Sequence, residues 1–143
     1  MQKIIRLTLL LALTSTCTAQ SMQEHFPIVI ASAVPFYPPL ARQTRINGKV
    51  RLRISTDGQR VMSVEVESGH RLLAEAAKQN VSTWEFEKHE PITFFTTFEY
   101  RVLAESTCER ENGTIVLNFP QSVEITVKGI QTCDPAQTVI KKN

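Results

Sequence analysis

The sequence predicts an α+β fold: a small antiparallel β-sheet with one short and one longer helix packed on it, followed by a C-terminal β-hairpin stapled by a disulfide. Three observations carry this reading. Lys49 to Ser55 and Met62 to Glu67 alternate between apolar and polar residues, which is the period of half-buried strands. Leu73, Ala76, Ala77, Val81 and Trp84 recur at the three- and four-residue spacing of a helix face. Beyond them, Thr114 to Phe119 and Val123 to Val127 flank Pro120-Gln121, with Cys108 and Cys133 outside the pair.

At the N-terminus, Lys3 and Arg6 accompany an apolar run from Ile4 to Leu13, and small polar residues then lead to Cys17-Thr18-Ala19. That is the layout of a secretory signal peptide cleaved near Ala19. Cys17 is a poor lipidation site, because Thr14-Ser15-Thr16 lacks the Leu and the small apolar residue wanted before it. Arg6 and Thr8 interrupt the run and Thr14 ends it, short of the ~20 apolar residues a spanning helix needs, so no stable membrane span is expected after cleavage. Of 16 Lys+Arg, Lys3 and Arg6 leave with the leader, and the rest equal the 14 Asp+Glu. A neutral domain lacks the basic face of a nucleic-acid binder. Export also favours a disulfide between Cys108 and Cys133. Loop-closure entropy gives roughly 3.5 kcal/mol for such a bridge, less any native strain.

Pro27 to Val34 is apolar and bounded by prolines, as suits an edge strand or an extended arm. Pro38 and Pro39 open a short helix, since proline fits a first turn whose amides have no partner, with Leu40, Ala41 and Ile46 on its apolar side and Asn47-Gly48 at its end. Between the two alternating strands, Thr56-Asp57-Gly58 predicts a three-residue hairpin loop with Gly58 in the left-handed conformation. This sets Val50 opposite Val64, Leu52 opposite Met62 and Lys49 opposite Glu65. A two-residue loop would turn one apolar face outward.

Ser68-Gly69-His70 stops the second strand, and Leu72 to Thr83 forms the longer helix, with Ser68 the better cap candidate. Ala76 and Ala77 let that helix lie close to the sheet, and Trp84, at the end of the stripe, is read as core. Ile92 to Leu103 is a long strand with Phe94, Phe98, Tyr100 and Val102 on one face and Phe95, Thr97 and Glu99 on the other. In the last hairpin Pro120 forbids a type I′ turn, so a four-residue loop, Phe119 to Ser122, sets Asn118 opposite Val123 and brings Cys108 to Cys133 at the open end. The boundaries are 1–19 for the signal peptide, 20–34 for the arm, 35–104 for the main domain and 105–143 for the hairpin extension.

Chemistry is sparse. His25, His70 and His89 have no partner at metal spacing, and there is neither a Gly-x-Ser-x-Gly elbow nor a Gly-rich phosphate loop, so no metal, cofactor or enzymatic activity is expected. Asn80-Val81-Ser82 and Asn112-Gly113-Thr114 match a glycosylation pattern, but the first adjoins the helix stripe and the second reads as a turn.

The ordered series Tyr37-Pro38-Pro39-Leu40-Ala41-Arg42, Gly48-Lys49-Val50, Asp57-Gly58, Ser68-Gly69-His70 and Trp84-Glu85-Phe86 resembles the C-terminal domain of TonB, over roughly Pro35 to Leu103. The resemblance implies a periplasmic or secreted protein-binding module. In that family the last matching strand accepts an extended peptide from an outer-membrane transporter by strand addition, in which main-chain hydrogen bonds supply affinity. Carried over by position, the accepting edge is Ile92, Phe94, Phe95, Thr97 and Glu99, and a second partner-contacting region is Val34-Pro35-Phe36-Tyr37, where Val34-Pro35 replaces the family's Gln-Pro. The uncleaved N-terminal helix and proline-rich arm of the energy-transducing members have no counterpart in this sequence. The alternative is a structural or assembly domain whose sheet edge is covered by its own hairpin or by a homodimer partner.

Overall fold

In the computed structural model, which describes residues 26–108 and 113–131, the alternating segments form strands and the stripe forms a helix. The elements are β1 (Val29–Ala31), α1 (Pro39–Gln43), β2 (Gly48–Thr56), β3 (Val61–Ser68), α2 (Arg71–Val81), β4 (Glu85–Phe86), β5 (Thr93–Thr107), β6 (Thr114–Asn118) and β7 (Ser122–Ile130). A five-stranded sheet runs in the order β3-β2-β5-β7-β6, and β1 pairs with β4 in a separate two-stranded ribbon. The sheet is mixed rather than antiparallel throughout, because β7 lies parallel to β5. Periodicity says which way side chains face, but it is silent on which strand is the neighbour.

Both hairpins form, in registers other than those expected. Leu52 faces Val66, Arg53 faces Glu65 and Ile54 faces Val64, a slip of four residues that keeps Val64 and Val66 opposite core-facing partners, while a register shift at Val61 leaves Met62 exposed. The cause is a longer turn. Asp57 N–H bonds to Arg60 O at 3.1 Å, and the Asp57 carboxylate accepts the Gln59 and Arg60 amides at 2.9 and 2.7 Å. Those two amides, Arg60 first, hold the carboxyl below its usual range. Gly58 is at φ +104°, as expected, and a Cβ there would lie 2.2 Å from His89 O. Lys49 instead meets Glu99 across β5, at 3.2 Å, while Arg53 pairs with Glu65 and Glu67. At the other hairpin Asn118 faces Ser122, and the loop is Phe119-Pro120-Gln121.

One face of the sheet carries the helices. Val50, Leu52, Ile54, Phe98 and Val123 are fully buried on it, with Leu73, Ala77 and Val81 of α2 packed against them. His70, not Ser68, caps α2, its Nδ1 accepting the Leu72 amide at 3.3 Å. On α1 the buried residues are Ala41 and Arg42 while Leu40 is exposed, because five residues make too short a helix for the extended apolar side first expected. Trp84 is buried at the end of α2, stacked on Phe98 at 6.2 Å and edge-on to Phe119 at 4.8 Å. Its indole N–H donates to Asn80 Oδ1 at 3.0 Å, the partner a buried Trp needs.

Two outcomes follow. Gly69 sits at φ +128° with Val50 Cα 2.9 Å from where a Cβ would stand, so Gly69→Ala should lower the urea midpoint by the equivalent of about 1 to 3 kcal/mol. Because the folded-state pKa of Asp57 is lowered, its contribution is present above the unfolded carboxyl pKa of about 3.9 and lost as pH falls through the folded value. Asp57→Ala should therefore melt below the parent at neutral pH, and the gap should close in thermal melts taken down to acid pH.

Candidate protein-binding surface

Strand β5 is the centre of the sheet, and the residues expected to form its accepting edge have different fates. Ile92 precedes the strand and is half-buried. Phe94 faces the core, edge-on to Phe26 at 6.4 Å and to Phe86 at 6.0 Å. Phe95 points to the opposite face, 42 % exposed, with the Arg51 guanidinium 4.5 Å from its ring centroid. Thr97 pairs with Arg51 on one side and Ser122 on the other, and Glu99 with Lys49 and Glu124.

The edge expected to be open is thus occupied from Thr97 to Thr107 by β7. Strand β7 is no loose appendage, since its alternate residues Val123, Ile125 and Val127 are all buried in the core. Only Thr93 to Thr96 lie beyond the start of that pairing. A cavity of about 370 Å³ flanks this short stretch, lined in part by Phe26, Arg51 and Phe95. A second, of about 530 Å³, shares Phe26 and Ile92 and extends along Glu87 to Pro91.

Ion pairs join Lys49 and Arg101 to Glu99, and Arg53 to Glu65 and Glu67, on the helix-free face. Hydrogen bonds from Arg101 and then Lys49 hold the Glu99 carboxyl below its usual range, with Arg101 at 2.5 Å and Lys49 at 3.2 Å. This neutralises the acid facing Glu124 across the parallel pair. Among the described residues, no three His, Cys, Asp or Glu side chains come together as a metal site, and no helix is long and apolar enough to cross a membrane.

The second expected contact region meets the added strands. Val34, Phe36 and Tyr37 form one wall of a groove of about 400 Å³ whose other wall is Ile115, Ile125 and Val127. Val34 is 77 % exposed and Phe36 45 %, whereas Pro35 and Tyr37 are buried. Tyr37 packs edge-on to Tyr100 at 5.3 Å and donates its hydroxyl to Ile46 O, and burial pushes its pKa up to about 12.

Four polar residues fix this geometry through contacts to the main chain of other segments. Asn80 Nδ2 donates to Ala33 O at 2.7 Å, and Thr83 Oγ1 accepts the Ala33 amide at 2.9 Å, pinning the arm to the end of α2. Arg42 donates Nε to Lys128 O at 2.7 Å, joining α1 to β7. Arg45, at φ +54°, reaches Leu103 O at 3.1 Å and Ser106 Oγ at 2.6 Å across the irregularity where β5 shifts register against β7. Asn80 left a trace in the sequence as a polar residue beside the apolar stripe, and Arg42 as the last residue of the Tyr37–Arg42 segment.

The family described as the Gram-negative bacterial TonB protein C-terminal matches residues 33–102. Residues 33–102 are thus similar to the TonB C-terminal family. Among solved structures, the solution NMR structure of the Pseudomonas aeruginosa TonB C-terminal domain is similar, with a TM-score of 0.47 and 18% identity, covering 55% of this chain and 88% of that one. No curated protein matches the chain. The TonB match starts in the arm, one residue before Val34, and stops inside β5. Strands β6 and β7 lie beyond it, so what closes the β5 edge is outside the TonB-like portion.

Phe95 is exposed and its main contact is the Arg51 guanidinium. Phe95→Ser should leave the fold intact, with a denaturation midpoint shifted by no more than about 1 kcal/mol, the scale of an exposed cation–π contact. A cooperative unfolding curve close to the parent's checks this.

Proposed function

We propose that the chain is a periplasmic or secreted protein-interaction module that binds an extended segment of an envelope protein, an outer-membrane transporter being the family's kind of partner. The observation behind this reading is the short stretch Thr93–Thr96, which lies outside the β7 pairing and is flanked by cavities sharing Phe26 and Ile92. Strand addition there joins few main-chain groups, so side-chain contacts with Phe95 and Arg51 carry more of the affinity than in a full-length edge. Export through the leader ending near Ala19 and a Cys108–Cys133 bridge belong to the same reading. Gln131 supports the bridge: its amide bonds to Thr107 O at 3.4 Å and its Nε2 lies 3.4 Å from Cys108 Sγ. Cys133 itself lies outside the described residues, so the expected meeting of the two sulfurs rests on where Gln131 sits.

A specific observation favours a second reading. Strand β7 lies along β5 from Thr97 to Thr107 and buries its own apolar residues there, as a structural or assembly domain with a self-covered edge would. In-cell photo-crosslinking from position 95 separates the two. Capture of an outer-membrane transporter or another envelope protein, abolished by Arg51→Glu, is the expected result. Adducts confined to this chain, or none, would leave the self-covered domain standing in its place.

A further inference from the structure

Beyond the TonB-like portion, β6 is the outermost strand, and among the described residues only β7 pairs with it. Its apolar residues are poorly covered on both faces. Leu117 is 46 % exposed on the face shared with buried Val123, and Ile115 on that same face is half-buried and lines the groove of Val34 and Phe36. Val116, on the opposite face, is 44 % exposed. An edge with apolar side chains on both faces fits a segment that is itself apolar at consecutive positions, because neighbouring strand residues point to opposite sides.

The chain carries such a segment. Residues 132–143 lie outside the described structure, and their sequence contains Thr138-Val139-Ile140, three successive β-branched residues of high strand propensity, before Lys141-Lys142-Asn143. Gln131 follows directly on β7, whose groove-lining Val127 is about 13 Å back along the strand. Seven residues separate Gln131 from Val139 and span up to about 25 Å when extended. A reversal at the turn-favouring pair Asp134-Pro135 would leave Val139 within reach of β6.

We infer that the C-terminal segment Thr138–Ile140 of the same chain docks along the free edge of β6, with one of Val139 and Ile140 in the groove of Phe36 and Ile115 and the other against Val116. The tail then caps the edge that β6 presents and removes it as a template for other strands. The inference stands on the β6 edge and the tail, and is independent of any peptide binding at β5.

The test is a photo-crosslinker at position 36 of the full chain, irradiated at low concentration, with fragmentation mapping of the adduct. A monomeric product joined to Thr138–Ile140, lost in the Val139→Asp/Ile140→Asp double variant, is the expected result. Hydrogen exchange supplies the second readout: ending the chain at Asp134 should speed exchange at Ile115 to Leu117 about tenfold while the α2 amides keep their protection. Adducts mapping elsewhere, adducts only in a covalent dimer, or unchanged β6 exchange in a folded truncated chain would each overturn it. Should the truncated chain fail to fold, the crosslink and its loss in the double variant decide alone.

Discussion

The rest of the structure depends on β5 being hydrogen-bonded along both sides, antiparallel to β2 and parallel to β7. A central strand must bury one face, and Phe94, Thr96, Phe98 and Tyr100 supply it. Trp84 stacks on Phe98 from the end of α2 and meets Phe119 from the tip of the last hairpin, so helix, sheet and hairpin converge on one ring system. Tyr37 and Tyr100 make a second junction under α1. Each depends on β5 having a neighbour on either side.

That double pairing also sets what the surface can offer. A strand recruits another through its unpaired main-chain groups, and β7 uses up those of β5 over most of its length. What remains on the TonB-like side is side-chain character: the Phe95 ring under the Arg51 guanidinium and the cavities beside Phe26. The charges around them are mutually satisfied, Glu99 by Arg101 and Lys49, and Arg53 by Glu65 and Glu67. A face with internally balanced charges selects a partner through shape and apolar contact more than through long-range attraction.

Much of this fold was legible in the sequence, and the limits have physical reasons. Alternation in β2, β3 and β5 told faces correctly, and the stripe ending in Trp84 told the core face of α2, because burial imposes those periods. Register was not legible: a four-residue slip, an even number, keeps the alternation of faces, so the pattern cannot detect it. Nor was adjacency, for the residues that make β7 a good strand are the same whether it hangs from the fold or fills a place within it. Contacts from side chain to main chain, such as Asn80 to Ala33 and Arg45 to Leu103, join residues far apart in sequence with no periodic signature. The candidate edge was placed on β5, and its closure over Thr97 and Glu99 was apparent only from the strand order.

Strand β7 enters the sheet between β5 and β6, both of which precede it in the chain. A growing or refolding chain accordingly holds an unfilled slot until β7 is available. Its parallel partners precede it in the chain, with Phe98 aligned to Val123 and Tyr100 to Ile125, so the intervening loop must close before the pairing forms. The last segment described is then a keystone for maturation: any quality control acting before Ile130 is placed meets a sheet with an exposed hydrophobic gap, and any acting afterwards meets a closed one.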